Sequence, residues 1–158
     1  MDDLLIMHNT LDNTILTILN EVYCGVLSLE TTHESNYKCN YLDLEINIRN
    51  NTVITKMYNK TDSFGFPIKR FPHFFTNISI GVKKATIYAE VLRIARTCST
   101  RQDFVNRLRR TKNILLKMNY NKFTIESSFL RCLFKNNYII FKFNINTSRT
   151  KDFVKEIF

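Results

Sequence analysis

The chain has 158 residues, of which 44% are hydrophobic, with 13 Phe and 7 Tyr but only 3 Gly and 2 Pro. That composition provides enough apolar surface for one modest domain and excludes a disordered or collagen-like chain. The formal net charge of +9 hides an asymmetry: residues 1–62 carry nine acids and four bases, residues 63–158 five acids and nineteen bases. The second part should therefore attract a polyanion, whereas the first should not unless metal ions intervene. Nucleic acid is the commonest such partner of a soluble protein; an acidic protein or anionic lipid is the competing one.

Taken in chain order, MDDLLIM at residues 1–7 reads as two acids leading into a short apolar strand. Leu11, Ile15, Ile18, Leu19 and Val22 fall at helical spacing, with Gly25 placed as a stop, and Val26 to Glu30 suggests a brief strand. In YLDLEINI, residues 41–48, Leu42, Leu44, Ile46 and Ile48 alternate with polar residues. Arg49-Asn50-Asn51 supplies a turn and Thr52 to Tyr58 a second β-rich run, so a hairpin is expected. Residues 63–80 hold both prolines and five phenylalanines without periodicity, and they read as a connector. Its Phe64, Phe66, Phe71, Phe74 and Phe75 are expected to staple it to the core rather than to stack on bases.

Three amphipathic helices follow. The first runs over about 82–97 with Ile87, Val91, Ile94 and Ala95 inward. The second lies behind a cap at Thr100 with Phe104, Leu108, Leu115 and Met118 inward, and the third, about 122–135, packs Ile125, Phe129, Cys132 and Leu133. Residues 138–146 alternate like a strand, and Arg149 to Phe158 forms a last short helix. The domain boundaries implied are 1–62, a connector at 63–80, a basic helical unit at 81–136 and a tail at 137–158. No apolar run approaches the ~20 residues of a membrane span, and no leader-like segment opens the chain, so an intracellular protein of cytoplasm or nucleus is expected. The four cysteines have no paired spacing and read as reduced, partly buried thiols.

Two features carry chemistry. Asp2-Asp3 is an adjacent carboxylate pair; alone it reads as solvated terminal acids, though such pairs are best tolerated beside a divalent cation. Arg93, Arg96, Arg101, Arg107, Arg109, Arg110, Lys112 and Lys117 crowd two successive helices and could line one groove holding phosphate oxygens. The bland reading is a solvated helix face. Nothing in the set offers base-edge readout, so any binding should be sequence-independent.

A resemblance now attaches to these strings. MDDLLIMHN resembles the end of the Tyr-x-Asp-Asp signature of reverse transcriptases, the chain starting at the x. CNYLDLEINIRNNTVITKMYNKTDSFGFPIKRFPH is similar to the block after the catalytic loop in reverse transcriptases of eukaryotic retroelements and related viral copies. IYAEVLRIARTCSTRQDFVNRLRRTKNILLKMNYNKFTIESSFLRCLFK is similar to that family's post-palm helices, although Met118-Asn119-Tyr120 lacks its usual Gly. The resemblance implies an α+β fold: a partial polymerase palm of short antiparallel hairpins with one helix, then a three-helix, thumb-like bundle. It implies an RNA-directed DNA polymerase fragment that uses Mg2+ through Asp2 and Asp3 and binds RNA, RNA–DNA hybrid or duplex backbone. Because the chain starts inside the signature, it lacks an earlier catalytic aspartate and the fingers. The expectation is therefore a fragment that is inactive alone, whose vestigial aspartates bind metal loosely and which pairs with an upstream polymerase half. A primer-grip role for the hairpin and simple packing of its apolar face are equally compatible, and uncovered apolar surface would favour self-association. The alternatives are a non-enzymatic basic nucleic-acid-binding protein or a basic protein-interaction module.

Overall fold

The computed structural model describes residues 5–6, 12–22, 35, 37–64, 68 and 70–158. Asp2, Asp3, Gly25 and the strand expected at 26–30 lie outside the described residues; of the strand expected at 1–7 only Leu5 and Ile6 are described, and neither lies in a strand. The fold is α+β: an antiparallel three-stranded sheet followed by a helical bundle. Helix α1 spans Asp12–Val22, as its periodicity predicts, with Ile15 and Leu19 half-buried and Ile18 and Val22 exposed.

The sheet runs β1 (Lys38–Tyr41), β2 (Leu44–Arg49), β3 (Thr52–Met57), in that order. The β2–β3 hairpin closes Arg49 on Thr52 across Asn50 and Asn51, whose φ angles of 49° and 58° are left-handed. Asparagine tolerates that region better than other side-chain-bearing residues, which is why this pair makes a tight hairpin turn. The expected strand at 41–48 is corrected at its start. Leu42 is not on the apolar strand face but in a second turn, at φ 50° and exposed, and it joins β1 to β2. Alternation had run through the turn because Leu42 and Leu44 share parity. Ile46 and Met57 are buried, and Met57 joins the helical core, so this part of the hairpin's apolar side is covered. The outer edge of β3 is occupied too: the Ser99 amide donates to the Thr55 carbonyl (2.8 Å), and the Thr55 amide donates to Ser99 Oγ (2.9 Å).

The bundle consists of α2 (Ile80–Thr97), α3 (Arg101–Lys117), α4 (Lys122–Lys135), α5 (Asn137–Lys142) and α6 (Thr150–Ile157). Its N-caps follow side-chain chemistry. Thr100 Oγ1 accepts from the Asp103 amide (3.1 Å) and donates to the Asp103 carboxylate (2.6 Å), and Asn121 Oδ1 accepts from the Thr124 amide (2.7 Å). The expected inward residues Ile87, Val91, Ile94, Ala95, Phe104, Leu108, Leu115, Ile125, Phe129, Cys132 and Leu133 are all buried. Helix α4 packs chiefly on α2, and α6 on α4.

The turn between α3 and α4 passes through Asn119 in the left-handed region, at φ 62°. The Asn119 amide donates to the Leu116 carbonyl (3.0 Å) and the Tyr120 amide to that of Leu115 (3.1 Å), the bond pair of a Schellman cap. The tail expected as a strand at 138–146 is instead helix α5 closed by a second cap of this kind. There Asn144 (φ 49°) donates to Phe141 and Ile145 to Ile140. A strand would send Ile139 and Ile140 to opposite faces, but both are buried together with Phe143, the spacing of one helix face. Phe143 stacks on Phe104 (ring centroids 4.2 Å apart, 5° between planes), so the tail completes the bundle core.

In the connector, Phe71 is buried and Phe74 packs edge-on against Tyr120, 5.4 Å between centroids, whereas Phe64 and Phe75 are exposed and Phe66 is outside the described residues. Phe71 and Phe74 thus pack on the core as the expected staples. Lys83, 4% exposed, reaches back from α2 to donate to the carbonyls of Phe74 (2.6 Å) and Thr76 (2.7 Å). Two carbonyls and the Phe74 ring, 5.5 Å from the ammonium, solvate this charge.

Candidate nucleic-acid interface

The eight expected phosphate-binding residues do not line one groove. Arg93 on α2 is consumed by acids: its guanidinium donates to Glu90 through two nitrogens (3.1 and 3.2 Å) and to Asp43 on the β1–β2 turn (2.9 Å). Burial alone would lower the Arg93 pKa, but the Glu90 and Asp43 carboxylates outweigh it and hold it above the ordinary value. Arg70 joins the same Glu90 at 3.8 Å. Arg107 and Arg110 on α3 share one carboxylate, that of Asp62 in the short 3-10 turn Lys60–Ser63, at 2.7 and 3.0 Å.

The opposite flank of α3 turns toward the C-terminal elements. Arg101 donates to the Asn144 carbonyl (3.4 Å) and lies over the Phe153 ring. Arg109 donates to the Glu156 carbonyl (3.4 Å) and Lys112 to that of Ile157 (3.0 Å), placing two cations on the last carbonyls of α6, the negative end of its dipole. Arg96 and Lys117 are exposed. The expected single groove thus divides into a sheet-facing set, an α6-facing set and two outlying cations. The reason is long-range: Asp43 and Asp62 come from the acidic part of the chain and pair with arginines 50 and 45 residues away.

A different groove is lined by cations that remain free. Between α2 and α4 lies a depression of about 540 Å3 bounded by Gly81, Lys84, Ala85, Tyr88, Ser127, Ser128, Arg131 and Lys135. Gly81 and Ala85 leave it open, since a Cβ at Gly81 would meet only Ser79 Oγ, at 3.9 Å. Three bases and three hydroxyl side chains line it and no acid does. Lys84, Arg131 and Lys135 form no ion pair among the described residues, whereas every α3 arginine has a partner. Tyr88 is fixed by the Asn136 side-chain amide, which donates to its hydroxyl (2.8 Å).

Sequence reasoning missed Lys84, Arg131 and Lys135. The signal was present in the four-residue spacing of Arg131 and Lys135, which puts both on one helix flank. The partner Lys84 comes from a helix almost fifty residues earlier, and only packing reveals it.

Asp2 and Asp3 lie outside the described residues, and among the described ones no three His, Cys, Asp or Glu side chains gather as a metal set. Cys98 and Cys132 are buried free thiols, and burial raises the pKa of both, that of Cys132 to about 11. Among the described residues no helix is long and apolar enough to cross a membrane.

Residues 70–130, less than half of the chain, match the animal helix-turn-helix domain. The matched segment holds α2, α3, the Asn119 turn and α4 as far as Leu130. Such a match fits a nucleic-acid-binding role. No curated protein and no solved structure gives a significant match.

Proposed function

We propose that this protein is a non-enzymatic nucleic-acid-binding module that holds a phosphate backbone in the groove between α2 and α4. The observation that carries the reading is the convergence of Lys84, Arg131 and Lys135, unpaired among the described residues, on one groove that no described acid lines. Phosphate oxygens would accept from these three cations, assisted by the hydroxyls of Ser127, Ser128 and Tyr88, and binding would release condensed counterions. The helix-turn-helix match supports the same reading, because in such elements the second helix is commonly the one laid against nucleic acid.

Affinity measured against salt tests it. The full chain should bind with a steep log–log salt slope, and K84A/R131A/K135A should flatten that slope by about 2–3, the value for three lost phosphate contacts. An unchanged slope and affinity in the triple variant would overturn the groove as the binding surface.

A second reading has its own support. The resemblance to the end of a reverse-transcriptase palm followed by a thumb implies a small antiparallel sheet, an aromatic connector and basic helices, and the elements of this chain follow in an order compatible with it. Asn119 supplies the left-handed turn where that family carries Gly, so the departure in Met118-Asn119-Tyr120 leaves the turn geometry available. Under this reading the preferred partner is RNA–DNA hybrid, and the module works together with an upstream polymerase half.

A further inference from the structure

Helix α4 has an outward face that the core does not explain. Ile125, Phe129, Cys132 and Leu133 turn inward, all at 1% exposure or less. At 100° per residue the opposite face carries Phe123, Ser127, Leu130 and Phe134. Phe123 is 75% exposed and Phe134 49%, far from Phe129, the core aromatic of the same helix, at 0%. Leu130, between them, is half-buried. The two rings stand roughly 16 Å apart along the helix, three turns at 1.5 Å per residue.

The borders of this stripe differ in charge. On one side lie Arg131 and Lys135, which with Ser127 also line the α2–α4 groove; on the other lie Glu126 and Lys122, which pair with each other at 3.8 Å. The stripe is therefore edged by free cations on one border only. A helix that reads duplex bases presents Arg, Asn or Gln to their edges. The outward face of α4 presents two phenyl rings and one hydroxyl, with Leu130 packed against the core between the rings. In a duplex the π-faces of the bases are already stacked, and reaching one means paying an unstacking cost of a few kcal/mol per step. An unpaired strand offers those faces freely, and aromatic side chains beside a basic track are how sequence-tolerant single-strand binders hold it.

We infer that α4 binds an unpaired nucleic-acid strand, its bases stacked on Phe123 and Phe134 and its phosphates lying toward Arg131, Lys135 and Lys84. This deepens the proposed phosphate-binding function and rests on it. Ser127 and Arg131 stand between the two halves of the site, so base platform and phosphate track form one continuous surface. Glu126, on the far border, repels phosphate and fixes which side of the helix the backbone follows. Stacking without edge readout makes the binding indifferent to base identity.

The test compares labelled oligodeoxythymidine and oligouridine with the duplex and the RNA–DNA hybrid made by annealing complementary strands to them, using the full chain and fluorescence anisotropy. The single strands should bind more tightly than either paired form. F123A/F134A should weaken single-strand binding by about fivefold or more per ring while leaving the weaker duplex binding unchanged. Both rings are exposed, so the melting temperature should stay at the parent value. The chain has no Trp, so F134W supplies a single reporter, whose emission should be quenched on adding oligodeoxythymidine. Equal or tighter binding of duplex or hybrid would overturn the inference, as would F123A/F134A that binds single strands normally. So would a dimer that becomes monomeric in F123A/F134A at unchanged single-strand affinity, since the stripe would then be a contact between copies. Failure to bind any nucleic acid would instead sink the phosphate-binding reading beneath it.

Discussion

Helices α3 and α4 are consecutive and both basic, yet their charges meet opposite fates. On α3, Arg107 and Arg110 close on Asp62, and Arg109 and Lys112 close on the end of α6. On α4, Arg131 and Lys135 face a groove with Lys84 and meet no acid among the described residues. The phenylalanines divide the same way: Phe104 of α3 is fully buried between Phe143 and Phe153, whereas Phe123 of α4 is largely in solvent. A dense run of arginines in a sequence thus marks an internal clamp as readily as a binding surface. What decides is whether carboxylates and carbonyls from distant segments fold onto it.

The largest expected effect contrasts the two phenylalanines. F104A removes a fully buried ring stacked on two others and should cost about 3–5 kcal/mol of stability. F123A should stay within about 0.5 kcal/mol, as an exposed position does. Chemical denaturation of the pair measures both, and a similar loss in the two would erase the distinction between a structural α3 and a binding α4.

Smaller, and sharper for charge, is R107A. Arg107 is largely enclosed and its partner Asp62 only partly exposed, so losing the pair should cost about 1–2 kcal/mol, between the values for exposed and buried pairs. Nucleic-acid affinity below the melting transition should not change. A tenfold loss of affinity at parental stability would return Arg107 to the binding surface.

The smallest effect concerns the hinge between the helices. The Tyr120 hydroxyl is buried without a hydrogen-bond partner among the described residues, and burial raises its pKa. Y120F should therefore be neutral or stabilising by up to about 1 kcal/mol. A loss of similar size on thermal melting would mean that the hydroxyl has a partner in solution.

Much of the helical architecture was legible because amphipathic periodicity survives any tertiary context. The inward residues of α2 to α4 and the Thr100 cap follow from spacing and cap chemistry alone. The hairpin was legible from Asn50 and Asn51, but the turn at Leu42 was not, since a leucine at φ 50° violates the usual turn preference. Residues 138–146 were misread because a short apolar run fits either period, and Ile139, Ile140 and Phe143 resolve only against Phe104. The interface was the least legible part. Pairing of Arg93 with Asp43 and of Arg107 with Asp62, and the meeting of Lys84 with Arg131, are contacts across tens of residues that no local pattern encodes.

Lys83 has a consequence for experiments on the whole molecule. Its ammonium donates to the Phe74 and Thr76 carbonyls, and the residue is buried. Amine-directed reagents should therefore modify neighbouring Lys84 at once and Lys83 only when the connector has lifted from the start of α2. The ratio of the two adducts over time becomes a clock for the opening of that junction.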